Sequence, residues 1–238
     1  MRGGLKKINE TVQNIKALES PPIVVKIFTD REISMMRDLY QVLPVTTNNL
    51  IQKNIKKQWI QNYNKELDTI YYNKLNEVLG DFKMDTLTDK NGNDIYGLFH
   101  ESFKPLPLHV DTGTNLDNVT YKQLLTPLSD IGETVIFKNR WYERSATFTI
   151  DHEELKFVPK IGQNMKSNKH IINGKKFDTE IHKKYLSHID INNLEGMEID
   201  TIYDWKIGET LIFDRSHLHS AASKLNKKKL GLSTFTKK

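Results

Sequence analysis

Eight histidines and the carboxylates beside them are the residues best suited to chemistry in this sequence, because it contains no cysteine. The pattern His-x-Asp occurs twice, at residues 109–111 (His-Val-Asp) and 188–190 (His-Ile-Asp). On a β-strand, residues i and i+2 point to the same face, so either segment would place an imidazole beside a carboxylate. Two histidines and one carboxylate can hold Fe(II) and leave further coordination positions open. Each segment therefore offers two of three such ligands.

His217 and His219 offer a third ligand from a distant part of the chain. They follow residues 209–214 (Glu-Thr-Leu-Ile-Phe-Asp), a run typical of a buried strand that comes directly after a turn glycine. On a strand both histidines would share one face. Spacing alone therefore does not choose between them.

Chain distance separates the two His-x-Asp segments. More than a hundred positions separate Asp111 from His219, which leaves room for several intervening strands, whereas fewer than thirty separate Asp190 from His219. His188 and Asp190 also lie in a polar, lysine-rich stretch, where such residues are usually solvated. We therefore predict that the metal site uses residues 109–111 and that His188 and Asp190 lie at the surface.

The composition limits the elements that can position these residues. Of the 238 residues, 37% are hydrophobic, which is enough for a sizeable core. The lack of cysteine excludes disulfide scaffolds and thiol chemistry, and the low counts of glycine (12) and proline (7) exclude collagen-like and low-complexity chains. The net charge of +5 would suit a polyanionic partner, but the excess is nearly all lysine, as biased base composition would also produce. We expect no nucleic acid partner.

Neither a targeting segment nor a membrane segment is evident. Residues 1–7 lack the apolar stretch of a signal peptide, and no run approaches the ~18–20 apolar residues of a membrane helix. We therefore expect a cytoplasmic protein without a membrane partner.

Helical spacing dominates the first third of the chain. Apolar residues recur at helical intervals over about 5–18, 30–43 and 50–79. Asp30 is the predicted N-cap of the second helix and Gly80 the predicted C-cap of the third.

A turn cluster at residues 89–93 marks a change to short β-type runs. Eight strands are predicted, at 95–100, 107–110, 121–126, 133–137, 146–150, 198–203, 210–213 and 229–235. This pattern favours an α+β, mainly-β single domain over alternating βαβ units. We predict a double-stranded β-helix (jelly-roll or cupin-like) core at 89–238, buttressed by a mainly helical region at 1–88. A loop or insertion is predicted at about 156–192.

Four ordered segments resemble motifs of the Fe(II)/2-oxoglutarate-dependent dioxygenases, particularly the prolyl 4-hydroxylase-like branch. They are residues 22–32 (PIVVKIFTDRE), 104–113 (KPLPLHVDTG), 125–137 (LTPLSDIGETVIF) and 208–219 (GETLIFDRSHLH). The resemblance extends from about residue 21 to the C-terminus. Several motifs in order are more specific than one tripeptide.

The resemblance implies that His109, Asp111 and His219 are catalytic metal ligands, with His219 rather than His217 as the distal histidine. The implied cofactor is Fe(II), with 2-oxoglutarate and O2 as cosubstrates, and ascorbate is a further candidate cofactor. The implied reaction hydroxylates a C–H bond and releases succinate and CO2. Asp111 favours hydroxylation or desaturation, because halogenating relatives lack this carboxylate.

The resemblance also implies a set of contacts to 2-oxoglutarate. Lys229 would hold the far carboxylate of 2-oxoglutarate. Strand register selects it over the two lysines before it, and Ser233 would lie on the same inward face of the strand. His100 and Thr126 are the other predicted contacts. Position 231 is Gly where the family often has Ser, so this part of the pattern is incomplete.

The substrate is not specified by these motifs. The branch suggests a peptidyl proline, and a small molecule is the alternative, since fold-level analogy is a poor guide to substrates. Residues 140–142 (Arg-Trp-Tyr) are candidates for the substrate mouth, together with the 156–192 loop. Two other classes stay open: a non-catalytic jelly-roll module that binds a carbohydrate or acidic ligand, and a basic nucleic-acid binder that uses the lysines at 227–229.

Overall fold

Two facing β-sheets form the body of the protein in a computed structural model of the chain. The structure describes residues 2–49, 54–88, 91–102, 104–113, 115–148, 164–166, 174–222 and 227–238. No helix among these residues is long and apolar enough to span a bilayer.

Within the described residues, the first sheet has nine strands. Their bounds are β1 Ile23–Lys26, β2 Val45–Asn49, β3 Asn54–Ile60, β4 Lys83–Met84, β5 Leu87–Thr88, β6 Asp94–Ser102, β8 Thr120–Pro127, β13 Glu209–Asp214 and β15 Lys229–Lys237. The order across the sheet is β1-β13-β8-β15-β6-β3-β2, with β4 beside β15 and β5 beside β6.

The part of the second sheet that the structure describes has six strands in the order β11-β10-β7-β14-β9-β12. Their bounds are β7 His109–Val110, β9 Glu133–Arg140, β10 Ala146–Phe148, β11 Asn164–Lys166, β12 Ile199–Asp204 and β14 His217–Ala221. Consecutive strands from β6 to β9 and from β12 to β15 alternate between the two sheets. This alternation is the double-stranded β-helix, and each of the eight predicted strands overlaps a strand in it or beside it. Residues 149–150 of the strand predicted at 146–150 lie outside the described residues.

Three helices precede the jelly roll: α1 (Arg2–Ala17), α2 (Asp30–Val42) and α3 (Lys65–Leu79). The cap of α2 is Thr29, in a capping box with Glu32, and not Asp30 as predicted. Helices α2 and α3 cover the outer face of the first sheet. The centre of this layer is fully buried and includes Trp59, Phe99 and Leu124 from the strands and Tyr71 and Leu75 from α3. Burial of each such side chain stabilises the fold by about 1.5–3 kcal/mol.

The second sheet is covered on its outer face by residues 177–197, which contain short helical turns at Thr179–Ile181, His182–Leu186 and Ile191–Leu194. Leu186 and Leu194 are fully buried there. The part of the predicted 156–192 loop that the structure describes from residue 174 onward is thus a packed cover. Residues 156–163 and 167–173 lie outside the described residues.

The predicted helix at 50–79 is wrong over residues 54–60, which form β3, and is confirmed from Lys65, where α3 begins. Residues 50–53 lie outside the described residues. Ile55 and Trp59 are four residues apart, and a spacing of four fits one face of a strand as well as one face of a helix. The region 1–88 also contributes strands, because β1 to β5 all join the first sheet. Gly80 does end α3, with a φ of 64° that favours glycine.

Candidate metal centre

His109, Asp111 and His219 meet between the two sheets. His109 on β7 lies directly opposite His219 on the antiparallel strand β14, and their ring centroids are 4.1 Å apart. Asp111 follows β7 immediately. One ligand atom from each of the three side chains lies within 4.8 Å of the others. Strand pairing therefore brings together the three residues that the sequence predicted as ligands.

Backbone carbonyls orient both imidazoles. His109 Nδ1 donates to the Pro107 carbonyl at 2.7 Å, and His219 Nδ1 donates to the His217 carbonyl at 3.1 Å. A carbonyl only accepts, so Nδ1 carries a proton in each ring, and Nε2 is the ring nitrogen that can ligate a metal. The two Nε2 atoms lie 3.8 Å (His109) and 3.5 Å (His219) from Asp111 Oδ2. Such outer hydrogen bonds are the usual way in which a protein aims histidines at a metal.

Gln123 and Arg215 hold the third ligand. Gln123 Nε2 donates to Asp111 Oδ2 at 3.0 Å, and Arg215 Nε donates to the Asp111 backbone carbonyl at 2.9 Å. Arg215 is itself buried and also bonds Asp85 Oδ2 at 2.5 Å and the Thr236 carbonyl at 3.2 Å. Asp111 is therefore fixed through both its side chain and its main chain.

The protonation states suit a cation. Burial, and after it the neighbouring His219, lower the pKa of His109 to about 4. Burial alone would raise the pKa of Asp111, but the contact with His219 and the charges of both imidazoles outweigh it and hold that pKa well below its usual range. Near neutral pH the site thus presents a neutral His109 beside a carboxylate, which together with His219 Nε2 form a nitrogen and oxygen donor set that fits Fe(II).

A β-bulge resolves the choice between His217 and His219. The pairing of β14 with β9 shifts between them, from His217 opposite Arg140 to His219 opposite Ile136. His217 Nδ1 donates to the Phe137 carbonyl at 2.6 Å, outside the group of three ligands. Simple alternation would have put both histidines at the site, and the bulge aims only His219 there.

A cavity of about 210 Å³ lies beside the ligands, and Lys229 is part of its wall. The lysine is 2% exposed, and its Nζ lies 4.4 Å from the centre of the Trp205 ring. Burial lowers its pKa to about 8. No carboxylate among the described residues lies within ion-pair distance of Nζ. Lys228, by contrast, pairs with Glu101 at 2.8 Å, which agrees with the register that selected Lys229.

Ser233 and His100 also line the cavity and contact each other, with His100 Nε2 3.1 Å from Ser233 Oγ. Burial and the charge of Lys229 lower the pKa of His100 to about 3, so the ring is neutral. Gly231 lies between Lys229 and Ser233 on the same face. A Cβ at position 231 would lie 2.6 Å from Trp205, so the indole fills the space of the side chain that the family often has there.

Thr126 is a wrong prediction. Strand β8 turns Gln123 and Leu125 toward the cavity, and Thr126 therefore points to the opposite face. Its Oγ1 lies 3.1 Å from Thr210 Oγ1 in the buried layer under the helices. An alignment displaced by one residue exchanges the two faces of a strand, and Thr126 cannot reach a ligand in the cavity.

The other sequence predictions have mixed outcomes. Asp190 lies at the surface as predicted, but His188 is half-buried, with its Nε2 donating to the Leu106 carbonyl at 2.8 Å. Residues 140–142 do not line the cavity beside the three ligands, and their predicted place at a substrate mouth stays a prediction. Arg140 instead bonds Asp214 at 2.7 Å, and Tyr142 donates to Glu19 at 2.6 Å, just after α1.

Sequence reasoning missed Gln123, Trp205 and Arg215. Gln123 could have been found, because it lies on the inward face of a predicted strand, opposite in parity to Thr126. Trp205 and Arg215 lie beyond strand ends, where alternation gives no direction.

No family model matches the sequence, and no curated protein matches it. Among solved structures, the chain is similar to an oxidoreductase of the 2OG-Fe(II) oxygenase family from Burkholderia pseudomallei, with 10% identity, 95% of this chain and 89% of that chain covered, and a TM-score of 0.49. It is similar to HygX from Streptomyces hygroscopicus with nickel and 2-oxoglutarate bound (10% identity, 96% and 86% covered, TM-score 0.49). It is also similar to the viral collagen prolyl hydroxylase of Paramecium Bursaria Chlorella virus-1 (11% identity, 92% and 96% covered, TM-score 0.46). Each TM-score is below one half, so these similarities show neither a shared activity nor a shared substrate.

Proposed function

We propose that the protein is an Fe(II)- and 2-oxoglutarate-dependent oxygenase that hydroxylates an unactivated C–H bond. The observation that carries this proposal is the convergence of His109, Asp111 and His219, with both imidazoles aimed by backbone carbonyls. A non-catalytic jelly-roll module has no need for such a donor set beside a cavity.

The three ligands would hold Fe(II) and leave coordination positions facing the cavity. When bound, iron with 2-oxoglutarate and O2 supplies the oxidising chemistry, in which the cosubstrate is decarboxylated to succinate and CO2 as a C–H bond is hydroxylated. Gln123 and Arg215 keep Asp111 in place, and the two carbonyl acceptors keep the imidazole rings from rotating.

Lys229 would bind the far carboxylate of 2-oxoglutarate. It is a buried cation without a described carboxylate partner, and a buried charge is costly unless a counter-charge reaches it. Ser233 and His100 line the same wall and can add hydrogen bonds. Lysine offers a point charge rather than the bidentate pairing of arginine, so we expect a less directional grip on the cosubstrate.

An anaerobic titration tests the proposal. Fe(II) is added to the protein and then 2-oxoglutarate, and the weak visible charge-transfer band of the chelated complex is recorded. We expect the band in the wild type and its loss in His109→Ala and Asp111→Ala. Lys229→Ala should keep metal binding but require at least about tenfold more 2-oxoglutarate.

Asp190→Asn is the matched control, since the second His-x-Asp segment has the same residues without the third ligand. It should show the wild-type band. A wild-type protein that binds Fe(II) and 2-oxoglutarate without the band, or a band that survives Asp111→Ala, would contradict the proposal.

A further inference from the structure

Strand β3 extends the first sheet beyond β6 and carries two polar residues to the cavity. Asn54 lies opposite Ser102, which in turn lies opposite Lys229 on β15. Lys56 lies opposite His100, which in turn lies opposite Gly231. Asn54 and Lys56 both line the cavity. This side of the wall was absent from the predicted site, because residues 50–79 were predicted to be helical.

Lys56 differs from its neighbours in lacking a partner within the described part of the chain. Lys57 donates to the Tyr40 carbonyl at 2.6 Å, and Lys228 pairs with Glu101 at 2.8 Å. Lys122 is bound to Asp214. No described carboxylate lies within ion-pair distance of Lys56, which is an exposed residue at the cavity rim. Its charge nevertheless acts inward, since it helps to lower the pKa of His100 on the cavity wall.

The charges around the cavity are unbalanced once the proposed cofactors are counted. Of the described residues that line it, Asp111 is the single acid, and Lys56 and Lys229 are the lysines. A divalent cation and Asp111 together leave one positive charge, and Lys229 adds another. The two carboxylates of 2-oxoglutarate neutralise both, so the charge of Lys56 remains unmatched.

The size of the cavity places the substrate at its mouth. A volume of about 210 Å³ is below the ~300–1,000 Å³ of most ligand pockets, so the cosubstrate would fill much of it. Lys56 is exposed at the edge of that space. Asn54 is 7% exposed, and its Oδ1 is buried without a hydrogen-bond partner. The wall thus offers an unused cation beside an unused acceptor.

We propose that the substrate is a carboxylic acid whose carboxylate binds Lys56 and whose adjacent N–H or O–H donor reaches Asn54. The proposal rests on the proposed function, because it assigns 2-oxoglutarate to Lys229 and leaves Lys56 to the substrate. A charge-assisted contact of this kind discriminates an acid from its uncharged amide.

The test compares matched acids and amides on the loaded protein. The protein is loaded with Zn(II) and 2-oxoglutarate, and loading is verified by calorimetry before any ligand is added. The N-acetyl derivatives of the proteinogenic amino acids, each as free acid and as primary amide, are then screened by saturation-transfer NMR. We expect one or more acids to bind at least about tenfold more tightly than their amides.

Lys56→Gln should abolish that preference, and Asn54→Ala should weaken binding of the same acids. Lys26→Gln is the control, because Lys26 is an exposed lysine on β1, at the far edge of the same sheet. It should leave the preference intact. Lys56 is exposed, so its variant should fold, which a thermal melt checks.

Loaded protein without a Lys56-dependent preference for acids would overturn this inference alone. Protein that fails to load would overturn the proposed function and this inference together. A single-stranded oligonucleotide is included as a competitor. If Lys56 is needed for oligonucleotide binding while no acid binds, the inference is wrong and the nucleic-acid alternative is favoured.

Discussion

Residues 109–111 and 188–190 have the same His-x-Asp pattern, yet the fold holds them in different ways. The first begins on β7, where His109 faces His219 across a strand pair. The second lies between short helical turns on the outer cover of the second sheet. The rule that places residues i and i+2 on one face belongs to strands, so it applies to the first segment and not to the second.

The two segments also use their polar atoms differently. His109 donates a hydrogen bond from Nδ1 to a backbone carbonyl, which leaves Nε2 to face the other ligands. His188 instead donates from Nε2 to the Leu106 carbonyl. Asp111 faces two imidazoles, whereas Asp190 caps a helical turn by accepting from the Asn192 backbone N–H at 2.8 Å. A His-x-Asp tripeptide therefore becomes a ligand set only where strand pairing adds a third donor and other groups orient the imidazoles.

Removing His219, the third ligand, should have the largest effect on the difference in metal binding between the two His-x-Asp segments. His219→Ala should weaken binding of Fe(II) or Co(II) by more than about 100-fold, because loss of a ligand should cost more than the 10–100-fold typical of an outer partner. His188→Ala should change the metal affinity by less than about twofold. Anaerobic calorimetry measures both, at a temperature where each variant is folded. Equal losses in the two variants would show that the metal does not bind at His219.

Removing a side chain that donates a hydrogen bond to the aspartate of either segment should have a smaller effect on metal binding. Gln123→Leu deletes the side-chain donor to Asp111 and should weaken metal binding by about 10–100-fold. Asn192→Ala deletes the corresponding side-chain donor to Asp190, at 3.0 Å, and should leave metal affinity unchanged. The same calorimetry compares them, and an unaffected Gln123→Leu would mean that Asp111 needs no support from β8.

The cation beside the first segment adds a pH dependence that the second segment lacks. Lys229 has a pKa lowered to about 8, so it is charged below that pH and loses its proton above it. Affinity for 2-oxoglutarate should be constant from pH 6.5 to 7.5 and should fall by up to about tenfold per unit above pH 8. Lys229→Arg should bind without this decline, because arginine stays charged. Titrations of the Zn(II)-loaded protein at a series of pH values measure it, and a flat wild-type profile would exclude Lys229 as the anchor.

The smallest effect is expected in the second segment itself. Asp190→Ala removes the cap of the turn at Ile191–Leu194 and should lower the free energy of unfolding by about 1 kcal/mol. Metal affinity should not change. Chemical denaturation with and without metal separates the two quantities, and a loss of metal binding would contradict the division of roles between the segments.

Much of the fold could be predicted from the sequence because strands at this spacing have few stable arrangements. The wrong predictions come from positions where one residue spacing fits both a helix and a strand, or where a shift of one residue changes the face of a strand. The pair Ile55 and Trp59 fits a helix and a strand equally, and the wrong choice concealed β3 and with it Lys56. The prediction for Thr126 is displaced by one residue along β8, and this displacement exchanges the face toward the cavity for the face toward the helices.

The site was more predictable in its ligands than in its surroundings. The positions of His109, Asp111 and His219 follow from strand alternation and from the resemblance. The bulge that separates His217 from His219 depends on how β14 pairs with β9, and no local pattern in the sequence encodes it. Arg215 donates to the backbone carbonyl of Asp111. Every residue has such a carbonyl, so the residue types in the sequence do not predict this contact.

Strand β15 lies in the middle of the first sheet, between β8 and β6, although it is last in chain order. It carries Lys229, and its Thr236 carbonyl accepts from the arginine that holds Asp111. During synthesis the sheet therefore has a central gap until residue 237 has left the ribosome, and its closure is a contact of long sequence separation. If the proposed metal binds, we expect the nascent chain to acquire it only after this strand is inserted, so that metal loading would report closure of the first sheet.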